Sequence, residues 1–302
     1  MVEIDFARAG TPTIGPSEPV RALVSASGRA GLGLVLAGTL LLLADRPVRA
    51  NPRPLPFTYP SESLRQGTGE IEQFLDFIPI RALSSAGNAI WYDATQLQTE
   101  IEYGLTDRLE LALYFTFVPN AGDRATAVPA LPEGNGAKQR LRYALADPGA
   151  WPIDVAVYGE LAENEREVEL EGKLILQRRI GRLRLIANLT VEREFYFEGA
   201  REWVLNPTFG LSHASSAWVH LGLEGWMRAE VPDDLSGPRP FNLGPHVYVG
   251  PTVMLDLGRL WWTTGVYLRV SNLDRAVAAP EPPVPGDAFG RFWVRTVIGL
   301  DF

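Results

Sequence analysis

From Glu70 onward the apolar residues of this chain recur at every second position, the period of a strand whose two faces meet different solvents. Over 96–103, Leu97, Thr99, Ile101 and Tyr103 fall on one face, and Gln96, Gln98, Glu100 and Glu102 on the other. The next segment repeats the pattern, with Leu109, Leu111, Leu113, Phe115 and Phe117 opposed to Arg108, Glu110, Ala112, Tyr114 and Thr116. A helix would scatter these sets around its circumference. The same reading marks strands at 70–78, 96–104, 108–118, 138–145, 153–161, 167–180, 183–195, 203–213, 217–229, 243–257, 260–272 and 290–302. Most approach or exceed the roughly nine to eleven residues that a tilted strand needs to cross hydrocarbon, whereas soluble strands are nearer five or six. The spacing predicts an all-β fold, a transmembrane antiparallel up-and-down β-barrel of about twelve strands.

The connections give an independent test. Short joins at 105–107, 146–152, 181–182, 214–216 and 258–259 follow the even-numbered strands, while long joins rich in Gly and Pro occupy 119–137, 230–242 and 274–289. That alternation of short periplasmic turns with longer external loops is a barrel property that a soluble sandwich does not predict. The chain ends on a strand whose outer face carries Phe292, Val294, Ile298, Leu300 and Phe302. This resembles the terminal strand of bacterial outer-membrane proteins, whose final aromatic is read by the barrel-assembly machinery. Lipid and lipopolysaccharide are then the expected partners of the outer wall. Tyr103, Phe115, Phe117, Tyr143, Phe195, Phe197, Trp262 and Phe302 fall on outward faces at or near strand ends, where rings favour the headgroup region.

Ahead of the first strand, 31–44 reads GLGLVLAGTLLLLA, with Arg21 and Arg29 before it and Val48-Arg49-Ala50 after it. A short apolar core with a basic flank and small residues before the cut marks a secretory signal, although the stretch before Arg21 is long for such a flank. The reading is a signal over 1–50 cleaved near Ala50, a periplasmic N-terminal segment over 51–68, and a barrel over 69–302 in the bacterial outer membrane.

Composition narrows the function classes. No window reaches the roughly 18 consecutive apolar residues of a spanning helix. The chain has no cysteine, which removes disulfides, thiolate metal sites and cysteine nucleophiles. The net charge of −8, without Lys/Arg runs, offers no face for nucleic acid.

Gly69-Glu70-Ile71-Glu72-Gln73, together with the hairpin Thr99-Glu100-Ile101-Glu102-Tyr103-Gly104-Leu105-Thr106-Asp107-Arg108-Leu109-Glu110, resembles a group of uncharacterised proteobacterial outer-membrane barrel proteins. More distantly it is similar to the transporters attached to phenol-degradation pathways. The likeness runs through Glu169-Leu170-Glu171-Gly172-Lys173 to the last strand. It implies a barrel and a transport role, and carries no catalytic residues with it.

In a barrel the polar partners of each strand line the lumen, so the candidate functional residues are Glu72, Glu100, Glu102, Glu110, Arg142, Glu169, Glu171, Lys173, Glu192, His220, Glu224, Arg228, His246, Arg269 and Arg295. Acids gather on strands 1, 2, 6 and 7, and bases at Arg140, Arg142, Arg228, Arg269 and Arg295, with Lys173, Arg179 and Arg184 near the acids. If the strands close in order, one wall is negative and part of the opposite wall positive, a transverse field that would orient dipolar solutes. The other reading is that these groups pair and plug a small lumen. Gly222, Gly250, Gly265 and Gly299 on inward positions favour open space.

Nucleophilic catalysis would need a Ser held by a base. Of the three histidines, His213 precedes Ala214-Ser215-Ser216 at a periplasmic turn, which reads as a polar turn cluster; His220 and His246 point inward from neighbouring strands and, with Glu224, suggest a weak metal constellation. The expectation is a passive, cofactor-free channel or transporter for small solutes. The alternatives are a plugged barrel with lipid-hydrolase activity, or an adhesive barrel acting through the loops at 119–137 and 274–289.

Overall fold

The computed structural model describes residues 52–78, 82–83, 89–90, 95–117, 136–164, 167–233, 245–271 and 290–302. The signal region, and most of the long loops proposed for adhesion, lie outside the described residues. Twelve antiparallel strands follow one another: β1 Gly69–Phe77, β2 Thr95–Gly104, β3 Leu109–Phe117, β4 Gly136–Ala144, β5 Asp154–Asn164, β6 Glu167–Ile180, β7 Leu183–Tyr196, β8 in two pieces (Arg201–Leu205 and Thr208–Ala214), β9 Val219–Pro232, β10 His246–Asp256, β11 Leu260–Arg269 and β12 Phe292–Asp301. Each strand pairs with its sequence neighbour, and β1 pairs with β12 from Glu70↔Asp301 to Phe77↔Val294, so the sheet closes without an edge. A two-residue ladder joining Ala82–Leu83 to Ala89–Ile90 lies in the first long connection.

The interruption of β8 falls at Asn206-Pro207, where proline supplies no amide hydrogen to the ladder. Pairing resumes through the Asn206 N–H to the Thr190 carbonyl (3.1 Å) and the Met227 N–H to the Pro207 carbonyl (3.0 Å). The short turns match those expected. Gly181 takes φ 60° in the two-residue link between β6 and β7, a left-handed conformation that costs a residue without Cβ nothing. Thr106 Oγ1 accepts from the Arg108 and Leu109 amides (3.2 and 2.9 Å). His213 Nδ1 lies 3.3 Å from Ser215 Oγ in the exposed β8–β9 turn, the polar turn cluster that the sequence suggests.

Burial is inverted relative to a soluble protein. The outer wall exposes Leu75, Ile101, Leu113, Leu141, Leu170, Leu189, Leu223 and Val266, while the inside buries Glu70, Glu72, Glu100, Glu102, Glu110, Arg140 and Arg142. Strand residues alternate between these environments because their side chains alternate between faces. An apolar exterior of this extent around a closed barrel is a lipid-facing surface, that of the bacterial outer-membrane class. Tyr103, Phe115, Tyr143 and Phe197 are exposed on it as expected. Phe302 lies across Gly69 on the closing seam, where a Cβ would stand 2.4 Å from its ring. A charge at mid-height on this wall would face hydrocarbon. Leu189→Arg is expected to cost about 2–4 kcal/mol, measured by urea unfolding in phospholipid vesicles.

Candidate functional site: a lumen threaded by its own N-terminal segment

The segment expected in the periplasm is instead inside the barrel. Residues 52–64 run through the lumen, with Arg53, Leu55, Thr58, Ser61, Glu62 and Leu64 all buried; only Arg65, Gln66 and Gly67 stand exposed at the mouth. A peptide can be buried there only if its backbone polar groups find partners. Prolines at 52, 54, 56 and 60 have no amide hydrogen to satisfy. Inward side chains of the wall take several of the remaining amides.

These anchors trace the path. Near the short-turn end the Leu64 N–H donates to Glu110 Oε2 (2.7 Å), and the Ser63 hydroxyl to the Arg108 carbonyl (3.2 Å). Across the lumen the Ser61 N–H reaches Gln177 Oε1 (3.4 Å). The Asn188 side chain brackets Tyr59, accepting from its N–H (2.7 Å) and donating to its carbonyl (2.9 Å). Glu224 Oε1 then accepts from both the Phe57 N–H (3.0 Å) and the Thr58 N–H (2.6 Å), while its Oε2 accepts from the Tyr267 hydroxyl. The segment turns back toward β1 and β11, where Thr263 Oγ1 donates to the Arg53 carbonyl (2.5 Å) and Arg53 Nη1 to Glu72 (2.7 Å). The Arg53 guanidinium stacks 3.7 Å over the Tyr59 ring.

Apolar contacts complete the fit. Leu55 fills the space left by two inward glycines: a Cβ at Gly210 would meet its Cδ1 at 2.6 Å, and one at Gly222 its Cδ2 at 3.2 Å. Phe57 enters an aromatic wall of Trp226, Tyr248, Tyr267 and Trp293, its ring 4.7 Å from Trp226, with the Arg295 guanidinium 3.8 Å from its ring centre. Inward glycines therefore do not leave empty space. Gly222 receives Leu55, Gly265 accommodates Tyr267, Gly299 accommodates Trp261, and Gly250 lets the β11 backbone approach at Val266.

Acids and bases interleave in the lumen rather than standing on opposite walls. Arg140 binds Glu100 (2.5 Å), Glu102 and Glu110 (2.8 Å); Arg142 binds Glu110 (2.7 Å); Arg295 binds Asp76 (2.6 Å). On the long strands Lys138 pairs with Glu160 (3.0 Å), Lys173 with Glu171 (2.8 Å), and Arg228 spans Glu192 (2.7 Å), Glu194 (2.6 Å) and Glu230 (3.1 Å). Strand register explains the density. Glu72 faces Glu100, Glu160 faces Glu171, Glu171 faces Glu192, and Glu169 faces Glu194. Like charges set directly opposite destabilise a sheet, so each row needs the cations that cross it.

Placement of the remaining candidates breaks up the constellation suggested from sequence. His220 lies opposite Met254 near the short-turn end, whereas His246 lies opposite Arg228 at the other end of the same ladder. Eight residues of strand, about 26 Å, separate those positions. Glu224 sits between them and holds the N-terminal segment, so the three form no metal site. Arg269 is buried on β11, and its amide donates to the Arg291 carbonyl (3.0 Å). The residues that sequence reasoning missed are Arg53, Tyr59, Gln177 and Asn188. A run of prolines immediately before the first strand was the available signal.

No protein-family model matches the chain, and no curated protein matches it in sequence. Solved structures that it resembles include the KdgM porin (8% identical, covering 77% of this chain and 99% of that one, TM-score 0.47) and the NanC porin (7% identical, 78% and 98%, TM-score 0.49). An outer-membrane channel from Pseudomonas putida F1 is 12% identical over 80% of this chain and 98% of that one, with a TM-score of 0.49. These identities are too low to bring a solute or a mechanism to this chain.

Proposed function

We propose that this protein is a gated outer-membrane channel for small solutes, closed by residues 52–64 and opened when they shift within or leave the lumen. The observation that carries this reading is how the segment is held. It adds no strand to the barrel; it is bound through inward side chains, mainly Glu224, Asn188, Gln177 and Glu110, which would remain as a polar lining when it moved. The twelve-strand ladder closes without it. A transport role also agrees with the resemblance to pathway-linked transporters. Cleavage after Ala50 would start the mature chain at the foot of this plug and leave it free at one end.

Planar bilayers test the proposal. The full mature protein should give brief, infrequent steps, and a variant lacking 52–64 sustained steps of larger conductance. Silence from both would end the channel reading, and identical traces would show that the segment is no obstruction.

A further inference from the structure

Near the short-turn end of the lumen, six carboxylates crowd around three guanidiniums. Glu70, Glu72, Glu100, Glu102, Glu110 and Asp301 are all buried there, with Arg53, Arg140 and Arg142 among them. Four of the six acids have a guanidinium beside them, Glu100, Glu102 and Glu110 through Arg140 and Arg142, and Glu72 through Arg53, which leaves Glu70 and Asp301 outside these ion pairs. The surplus negative charge collects on the β12–β1–β2 side. There one oxygen each of Glu70, Glu72 and Glu102 lie within 4.8 Å of one another. An ion about 2.4 Å from each of two oxygens spans such a separation, and that is a calcium–oxygen bond length.

A cluster of acids alone would not establish a site, but its neighbour Asp301 supplies a separate observation. Asp301 is directly opposite Glu70 in the β1–β12 register, close enough for the two charges to act on each other. It is 2% exposed, and among the described residues no donor reaches either of its carboxylate oxygens; its side chain meets the Glu70 carboxyl, itself an acceptor, and Arg259 attracts its charge. Glu70 Oε1 accepts from Trp261 Nε1, while its Oε2 is buried and equally without a donor. Arg259 stands in the turn beside Asp301, where its carbonyl accepts the Asp301 amide (2.9 Å), and one guanidinium there does not balance both Glu70 and Asp301. Buried carboxylates without donors are stable only when a proton or a cation neutralises them.

We propose that Glu70, Glu72, Glu102 and Asp301 bind one divalent hard cation, calcium, near the periplasmic mouth, tying the first and last strands together at the closing seam. Four carboxylates from three adjacent strands give an all-oxygen donor set, the kind that calcium accepts and that softer metals do not select.

Trp261, in contact with Glu70, makes terbium the natural probe. Full-length protein, folded in detergent and stripped with a chelator, should sensitise terbium emission on indole excitation. The signal should saturate at one ion per barrel and be displaced by calcium. Glu70→Gln should weaken binding on the order of tenfold or more, since a coordinating charge is lost. Trp261→Phe, which keeps every carboxylate, should lose the emission yet retain calcium in equilibrium dialysis. If Glu70→Gln fails to fold, dialysis of the unaltered protein decides by itself: one calcium per barrel supports the site. No retained calcium, or terbium emission that calcium does not displace, overturns it and leaves shared protons as the neutralising species. None of these readouts depends on the channel conducting.

Discussion

Glu224→Ala should convert a mostly closed barrel into one that opens readily, with the population of the unplugged state rising on the order of a hundredfold. The lost carboxylate accepts from two adjacent plug amides, Phe57 and Thr58, at the point where the segment turns across the lumen. Hydrogen bonds to a charged group contribute about 1.5–3 kcal/mol each, so removing two unfastens the plug by roughly 3 kcal/mol or more, and each 1.4 kcal/mol is tenfold in an equilibrium. The barrel should survive, because the neighbours of Glu224 on β9 keep their pairing with β8 and β10. Open probability in planar bilayers is the measurement, with chymotrypsin cleavage between Phe57 and Thr58 as a second readout that does not rely on current.

Graded variants separate anchoring from general damage. Glu224→Gln keeps an oxygen for the two amides without its charge, and should shift opening far less than Ala. Tyr267→Phe removes only the hydroxyl that donates to the other oxygen, and should leave the plug seated. Were Ala, Gln and Phe to give the same traces as the unaltered protein, the segment would not be governed by this residue and the gate proposed here would need another latch. Leu55 is the second fastening. Its fit into Gly210 and Gly222 is apolar, so loss of Glu224 loosens the plug without stripping it of every contact.

The barrel was legible because its cause is local. Alternation, strand length and the short-turn pattern each repeat along the chain, and the expected ranges 167–180 and 183–195 meet the observed Glu167–Ile180 and Leu183–Tyr196 almost residue for residue. The inward set was legible for the same reason, since parity alone assigns Glu72, Glu100, Glu192 and Arg228 to the lumen. Partnership was not. Glu224 meets Thr58 across 166 residues of sequence, and Asn188 meets Tyr59 across 129. No spacing rule reaches that far. The prolines at 52, 54, 56 and 60 have neither strand nor helix period, and so read as a stretch to be left outside the barrel; inside it, the missing amides are what allow the segment to be buried. The histidine pair failed for a different reason. Parity put both in the lumen correctly, but register, which parity does not supply, set them at opposite ends.

The other large effect concerns Arg140, which no solvent reaches and which holds Glu100, Glu102 and Glu110 at once. Arg140→Ala leaves those acids with Arg142 and Arg53 as the remaining cations in the cluster. Breaking a buried ion network by removing one partner costs about 3–5 kcal/mol, because the abandoned charges have been taken out of water and cannot return to it. Urea unfolding in vesicles should show that loss, and Arg140→Lys should recover only part of it, since a point charge cannot fork among three carboxylates as a guanidinium does. Adding Glu102→Gln to Arg140→Ala should restore stability rather than lower it further, the non-additivity expected of groups in one network. The deficit should also shrink as pH falls through the carboxylate range. A protonated Glu102 or Glu100 no longer needs the missing cation, so acid removes the penalty in the variant that it does not remove in the unaltered protein. A deficit that grew on acidification, or additivity in the double variant, would mean that Arg140 stabilises the barrel by filling space between Tyr114 and Tyr158 rather than by charge.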